Sequence, residues 1–565
     1  MLPETPACVL ELEKKFDNPS SIIKRDGNSL FPPPPVFGRS YIRTLISKGD
    51  IKHSVASGQA MYTISSPGYY ILADNILAAP TSTNTSCIRI DANDVILDLS
   101  AHSISQLSTT TGKTITGIEV TSGKNQFAII NGGVSHINGI GIKINPTSSN
   151  FLVSTLLIND CTIAGCAIDT VTNIAIENMV ITNCNGNNGG AVLGACGLQI
   201  INSSEIRISD SFFNTNQAFN PTKNSTGVYL ANVKSTRLMN CAASGQRGAN
   251  AFGFRLTSSA SSCILRDCGA LNNISTTGNS YGLSLETASE ITIRDFYAGS
   301  LSATGGECCG IAITNSSGID FVNCLVKGTK AINGSSAMGF KCMRMANSRF
   351  VNCHALANVA TSSSVYGFYL YGCAGNAFSN CESRANSAST SPYDAYGFYT
   401  ARGGGNAFSE CRAINNTGGN TTTSIAAGFA LRNGEAYSGV TESIASGSTT
   451  AGQAYGIMIG HSSDSAVSSF STIHKNYLVY NLGSKSYGYR DFAPYTTTIL
   501  TSNIAYGQGA INPSSSEQLT LKNAMNFMFT HTGGRYPTGT VAEASIGNLN
   551  TVSTSAPLMN LSLII

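Results

Sequence analysis

Residues 366–395 read YGFYLYGCAGNAFSNCESRANSASTSPYDA, and residues 396–425 read YGFYTARGGGNAFSECRAINNTGGNTTTSI. The second stretch repeats the first, down to Ala-Phe-Ser followed by one polar residue and Cys. Within the first copy, apolar residues alternate with others along Gly367 to Leu370, which predicts a strand with Phe368 and Leu370 inward. Asn376 to Ser379 predicts a second strand with Phe378 inward. Asn380 suits a tight corner, because Asn tolerates the left-handed conformation. Cys381 then opens a third strand, and Asn386 to Ala395, rich in Ser, reads as a loop back to the next unit.

Working outward, the same glycine phrase recurs at Gly227, Gly253, Gly282, Gly310, Gly339, Gly367, Gly397, Gly428, Gly456 and Gly488, in steps of 26 to 32 residues. Weaker copies lie at Gly117, Gly141, Ala167 and Gly197. A second phrase follows at a nearly fixed distance: Cys241, Cys268, Phe296, Cys324, Cys353, Cys381 and Cys411 stand 14 or 15 residues after their glycines. Before each comes Asn or an acid (Asn240, Asp267, Asp295, Asn323, Asn352, Asn380, Glu410), which reads as a corner ladder. The drift in spacing falls in the loop, so each repeat is one structural unit with a variable return. An apolar period of 2 excludes helical repeats, and a unit near 30 residues is short for a four-stranded propeller blade. One such unit cannot bury its own apolar face, whereas stacking at about 4.8 Å satisfies both backbone and core.

The expected fold is therefore all-β, a parallel solenoid of about 13 to 15 three-strand coils. Residues 66–510 are assigned to it, with residues 1–65 as an N-terminal arm or linker and residues 511–565 as a C-terminal cap or oligomerisation tail. The run Pro32 to Pro35 favours extended polyproline conformation. Leu558, Leu561, Leu563, Ile564 and Ile565 make the tail apolar, which suits a cap strand or packing into a homo-oligomer.

These coils, with their long loops and a corner Asn ladder, resemble the right-handed parallel β-helix, or pectin-lyase-like, superfamily. Cys87 to Ser105, reading CIRIDANDVILDLSAHSIS, is similar to the first full coil of many members. The resemblance covers about four fifths of the chain and implies a right-handed β-helix. It implies little about chemistry, since the architecture hosts lyases, hydrolases, tailspikes, adhesins and passive scaffolds.

Composition narrows the partners. Charged residues make up 12% of the 565, the formal net charge is +3, and no basic stripe tracks a phosphate backbone, so nucleic acid is not expected. No run of eighteen apolar residues predicts a membrane span, and Met1 to Leu12 has no signal-like pattern. The 17 cysteines follow the repeat and lack metal-type pairing, which predicts buried free thiols and assembly in a reducing compartment. No cofactor or metal is expected.

Asp267 and Asp295, on adjacent coils, are the best catalytic carboxylates, and would act as acid and base in glycoside hydrolysis. The corner ladder explains them equally well, with Arg266 and Arg294 as salt partners. A polygalacturonase-like site would carry Asn-Thr-Asp, Asp-Asp, Gly-His-Gly and Arg-x-Lys; none occurs, and Gly460-His461-Ser462 is the nearest fragment. A pectate-lyase-like calcium site needs clustered acids around an arginine. Asp91, Asp94 and Asp98 are the densest acids but suit turns, as does His102.

Lys341, Tyr369 and Tyr399 occupy the outward position two after the anchor glycine on three successive coils. They predict an aromatic and cationic strip suited to sugar rings, or else cross-strand packing under a loop. The expectation is a non-catalytic structural or adhesive rod, displayed on a virus particle or cell surface and binding glycan or protein. Its alternatives are a polysaccharide lyase or glycoside hydrolase, and an assembly subunit packing through its ends.

Overall fold

The computed structural model describes residues 43–110, 112–186, 194–333, 335–389, 392–460, 464, 471–491, 499–501, 503–508, 522–525 and 529–530. The chain divides into two compact units, Met1–Ser335 and Ser336–Ile565. Both are parallel β-helices, with about 15 turns between them. Parallel pairing is already present where strand Arg43–Ile46 meets Gly68–Leu72 and Ala60–Ile64 meets Thr85–Ile90. The proline run and the apolar C-terminal residues lie outside the described residues. No described helix is long and apolar enough to cross a membrane.

The coil read from residues 366–395 forms as three strands, Val365–Tyr371, Ala377–Ser379 and Glu382–Arg384, with Phe368, Leu370, Phe378 and Cys381 buried. The stretch read as a loop from Asn386 to Ala395 is a correction. Ser387–Ala388 is a short fourth strand paired to Val359–Ala360, and Ala395 already opens the next coil. The first unit has the same fourth ladder through Arg247–Gly248, Ile274–Ser275, Ser302–Ala303 and Lys330–Ala331. Two residues are too short to show alternation, which is why the sequence pattern hid them.

The repeated glycine has a steric cause. Register runs Tyr366↔Tyr396 and Phe368↔Phe398 and skips Gly367, so Gly367 and Phe368 both face inward. A Cβ on the anchor glycine would meet the small third-strand side chain that shares its space. It would lie 2.6 Å from Ala243 at Gly227, 2.5 Å from Ala355 at Gly339 and 2.7 Å from Ala413 at Gly397. The next coil's carbonyl is as close, with Gly428 O 2.6 Å from that point at Gly397. The same criterion corrects the weaker copy read at Ala167. Pairing of Ala164 with Cys196 and Cys166 with Leu198 places Gly165 in the glycine column.

Every Asx residue of the predicted corner ladder adopts positive φ, from 51° at Asn380 to 54° at Asn323. Glu410 does so as well. That ladder faces outward. The buried amide ladder lies elsewhere, at Asn358, Asn386 and Asn416, each fully buried. Asn358 donates to Asn386 Oδ1 from its backbone N (3.2 Å) and Nδ2 (2.7 Å), and Asn386 Nδ2 donates to Asn416 Oδ1 at 2.9 Å. These bonds satisfy corner amides that bend away from the sheets, where an unpaired donor would cost about 1–3 kcal/mol. These residues stand 19 positions after their glycines, a signal as regular as the cysteine offset.

Aromatic columns fill the second unit. Phe340, Phe368, Phe398 and Phe429 stack at 4.6, 4.7 and 4.8 Å, and Phe350, Phe378 and Phe408 stack at 4.4 and 4.9 Å. At its far end parallel pairing gives way to antiparallel strands, Lys522–Met525 on Ile504–Gln508 and Phe529–Thr530 on Ile499–Thr501. The sixteen described cysteines are buried thiols, and burial pushes those of Cys87 and Cys166 up to about 12.

Gly397→Ala should therefore lower stability by about 1–3 kcal/mol, the scale of overpacking, read as a lower denaturant midpoint with the β signature intact. In a Cys8→Ser variant, Ellman's reagent should find no reactive thiol in the native protein and all sixteen after denaturation.

Candidate functional site

In the second unit, the break at each glycine turns positions 366, 369 and 371 outward together, and the register repeats this on neighbouring coils. Tyr366 pairs with Tyr396, Tyr369 with Tyr399 and Lys341 with Tyr369. The rings of Tyr369 and Tyr399 stack at 5.3 Å and 8°, and those of Tyr366 and Tyr396 at 5.4 Å and 11°. The two stacks meet edge to face, Tyr366 against Tyr369 at 4.9 Å and Tyr396 against Tyr399 at 5.1 Å. Tyr371 lies parallel to Tyr369 at 6.4 Å, under the guanidinium of Arg402.

The cluster grades from buried to exposed. Tyr396 is 1% exposed and Tyr399 9%, whereas Tyr366, Tyr369, Tyr371 and Lys341 are half-buried and Arg402 is exposed. The strip read from the sequence is thus real as a register, but its Tyr399 member belongs mostly to packing. Tyr369, Tyr371 and Lys341 form the accessible part.

A polar chain anchors the buried side. Tyr396 Oη donates to Asp394 Oδ2 at 3.0 Å, and Arg432 Nη1 donates to Tyr396 Oη at 3.3 Å. Arg432 also forks onto Asp464, with Nε 3.0 Å from Oδ1, while the Asn433 backbone N donates to Oδ2 at 3.0 Å. Burial raises the Asp394 carboxyl above its usual range, opposed by the Ile425 amide, Tyr396 and Arg432. Burial works against the charge on Arg432, but Asp464 together with the neighbouring Tyr396 and Tyr399 outweighs this and holds the proton more firmly than usual. Burial also lifts the Tyr366, Tyr396 and Tyr399 hydroxyls, so all three stay protonated donors at neutral pH. The site presents aromatic faces, hydroxyls and cations on a stiff support.

The other sequence candidates lie elsewhere. Asp267 and Asp295 sit at consecutive corners of the first unit, with φ of 53° and 52°. Asp295 accepts from Asn323 Nδ2 at 3.1 Å, and Asp267 lies 3.4 Å from Arg266 Nε, so both serve the corner ladder. Asp91 accepts from Thr121 Oγ1 at 2.7 Å and pairs with Lys124 at 3.0 Å, which together lower its carboxyl pKa. Asp98 accepts from Tyr69 Oη at 2.6 Å, Asp94 holds a turn at φ 54°, and His102 donates its backbone N to Leu99 O. His461 and Ser462 fall outside the described residues.

A buried charged group on the third strands escaped the sequence reading. His354 pairs in register with Glu382, and Glu382 with Arg412. His354 Nδ1 lies 3.8 Å from Glu382 Oε2, its Nε2 is 3.1 Å from Asn352 Oδ1, and Arg384 Nε is 3.0 Å from Glu382 Oε1. Burial, then the Arg384 and Arg412 guanidiniums, hold the imidazole down to about 4 despite the nearby carboxylate, which Arg384 already engages. His354 and Glu382 directly follow Cys353 and Cys381, but nothing in the sequence marks that outward position as covered.

No protein-family model matches the sequence, and no curated protein matches it. Among solved structures, the chain is similar to the A-module of the mannuronan C-5 epimerase AlgE6 of Azotobacter vinelandii, at 11% identity and a TM-score of 0.29, covering 81% of this chain and 92% of that one. It is also similar to the Dettilon tailspike protein gp208, at 9% identity and a TM-score of 0.30, over 60% of each chain. A third is a mannuronic acid-specific family 6 polysaccharide lyase from the human gut microbiota, at 8% identity and a TM-score of 0.28, over 84% and 89%. Likenesses this loose assign no chemistry to this chain, and its fold stands on its own strand register.

The low basicity of His354 sets a pH dependence. A histidine whose folded pKa is depressed contributes stability that is complete above its ordinary value of 6.5 and is lost as pH falls toward about 4. His354→Gln should remove up to about 3 kcal/mol of that loss. Denaturant midpoints of wild type and variant, compared at about pH 7 and about pH 4.5, read it directly.

Proposed function

We propose that this chain is a non-catalytic β-helical scaffold that holds glycan on the outward tyrosine face of its second unit, displayed on a virus particle or a cell surface. The observation that carries the reading is the half-buried Tyr369 ring. It lies parallel to Tyr399 and Tyr371, is braced edge-on by Tyr366, and has Lys341 beside it in register. A pyranose ring packs its C–H face on such an aromatic surface while its hydroxyls bond to neighbouring donors. Bracing matters because a ring already fixed loses little side-chain entropy on binding. The Tyr396–Arg432–Asp464 chain keeps the supporting layer in place. Asp267 and Asp295 are engaged as corner residues, which favours binding over hydrolysis.

A glycan array on the purified chain identifies the ligand, with reducing ends and unsaturated products assayed in the same wells. Tyr369→Ala should weaken the bound glycan roughly tenfold, near the 1.4 kcal/mol expected for one lost stacking contact, with the fold unchanged by circular dichroism. Products that appear in wild type and vanish in Asp295→Asn would replace this reading with an enzyme. Binding that ignores Tyr369→Ala would remove the tyrosine face from it.

A further inference from the structure

The turn after many of the first strands has a residue in the left-handed region. In the first unit these include Thr170, Asn202, Asn232, Ser258, Thr287 and Asn315, with φ between 50° and 56°; in the second they include Arg344 (53°), Gly372 (64°), Arg402 (58°), Asn433 (49°) and Gly460 (65°). Glycine and short polar residues take this conformation most readily, and a long cationic side chain gains nothing locally from it. Yet arginine stands there twice, two coils apart, with a glycine between.

The three positions are stacked. Arg344 N donates to Tyr371 O at 2.8 Å and Gly372 N to Ala401 O at 2.8 Å, so the two arginine backbones lie on the order of 10 Å apart. The two side chains flank the middle coil, Arg344 along Gly372 and Arg402 over the ring of the residue before it. Arg344 Cγ is 3.6 Å from the point a Cβ on Gly372 would occupy, and the Arg402 guanidinium sits 5.3 Å from the centroid of the Tyr371 ring on that same coil. Both arginines are exposed, and neither is in an ion pair among the described residues. Two such cations on alternate coils make this stretch of the turn column positive and favour an anion there.

We propose that Arg344, Gly372 and Arg402 form a notch for a sulfate or phosphate ester group, carried by the glycan that lies on the adjoining tyrosines; the inference rests on that reading. Such a group has three terminal oxygens set tetrahedrally and can accept from guanidinium forks on two sides at once, whereas a carboxylate offers its two oxygens in a single plane. Gly372 leaves the floor of the notch open. Tyr371, parallel to Tyr369, joins the notch to the tyrosine strip.

The test is calorimetric titration of the full chain with a sulfated chondroitin hexasaccharide, with its desulfated counterpart, which keeps the carboxylates, and with a phosphate-capped pentamannoside beside the plain one. The ester-bearing member of a pair should bind about ten- to a hundredfold more tightly, and Arg344→Gln or Arg402→Gln should each remove most of that difference. Whichever pair shows the difference tells sulfate from phosphate, and added salt should shrink it. Equal affinity within both pairs, or a preference that survives the double variant, overturns the notch and leaves the tyrosine-face reading standing. No binding of any of the four overturns both.

Discussion

Within each unit, the described coils are held by backbone bonds to the equivalent residues of the next coil, about 30 positions along the chain. Gly372 N reaches Ala401 O at 2.8 Å, Asn380 N reaches Ser409 O at 3.0 Å, and Ala385 N reaches Ile414 O at 2.9 Å. Once this register is fixed, each position of the coil becomes a column, and like side chains stack at the strand spacing. The Phe340–Phe429 column, the Asn358–Asn416 ladder and the glycine column are all consequences. A residue that does not fit its column disturbs both neighbours, and for that reason the anchor glycine opposite Ala, Ser or Val recurs so regularly.

The same constraint organises the outward faces. Two tyrosines at one position of successive coils must stack, and the skipped glycine brings positions 366, 369 and 371 to one side, so the stacks lean on each other. Burial of Tyr396 and Tyr399 then requires that their hydroxyls and nearby charges find partners. Asp394 and Arg432 supply them for Tyr396, Asn433 for Tyr399, and Asp464 for Arg432. The stiffness of the face is thus a by-product of the fold, and its chemistry comes from a few side chains placed on it. Much the same holds for the turn column, where among the described residues arginine replaces short polar residues at Arg344 and Arg402 of the second unit.

The architecture was legible because its signals repeat. A single Gly-apolar-x-apolar phrase means little, but ten copies at steps of 26 to 32 residues predict stacked parallel strands. Inward residues at 368, 370 and 378 followed from alternation, and burial of Cys381 from the general burial of free thiols. The fourth strand was not legible, since Ser387–Ala388 spans two residues. The weak copy at Ala167 was misplaced because apolar spacing alone does not tell which residue must lack a Cβ. Contact with the following coil identifies Gly165.

The sequence by itself determined the repeat, the inward faces, the positive-φ corners and the columns on which candidate residues stand, because these depend on local conformation and on periodicity. Tertiary structure alone decided which amides are buried, which half of the tyrosine strip is accessible, that His354 is enclosed beside Glu382, and that two exposed arginines flank the coil of Tyr371 and Gly372. Those outcomes depend on which residues cover an outward position, and coverage is set by side chains from other coils, at separations that no local pattern encodes.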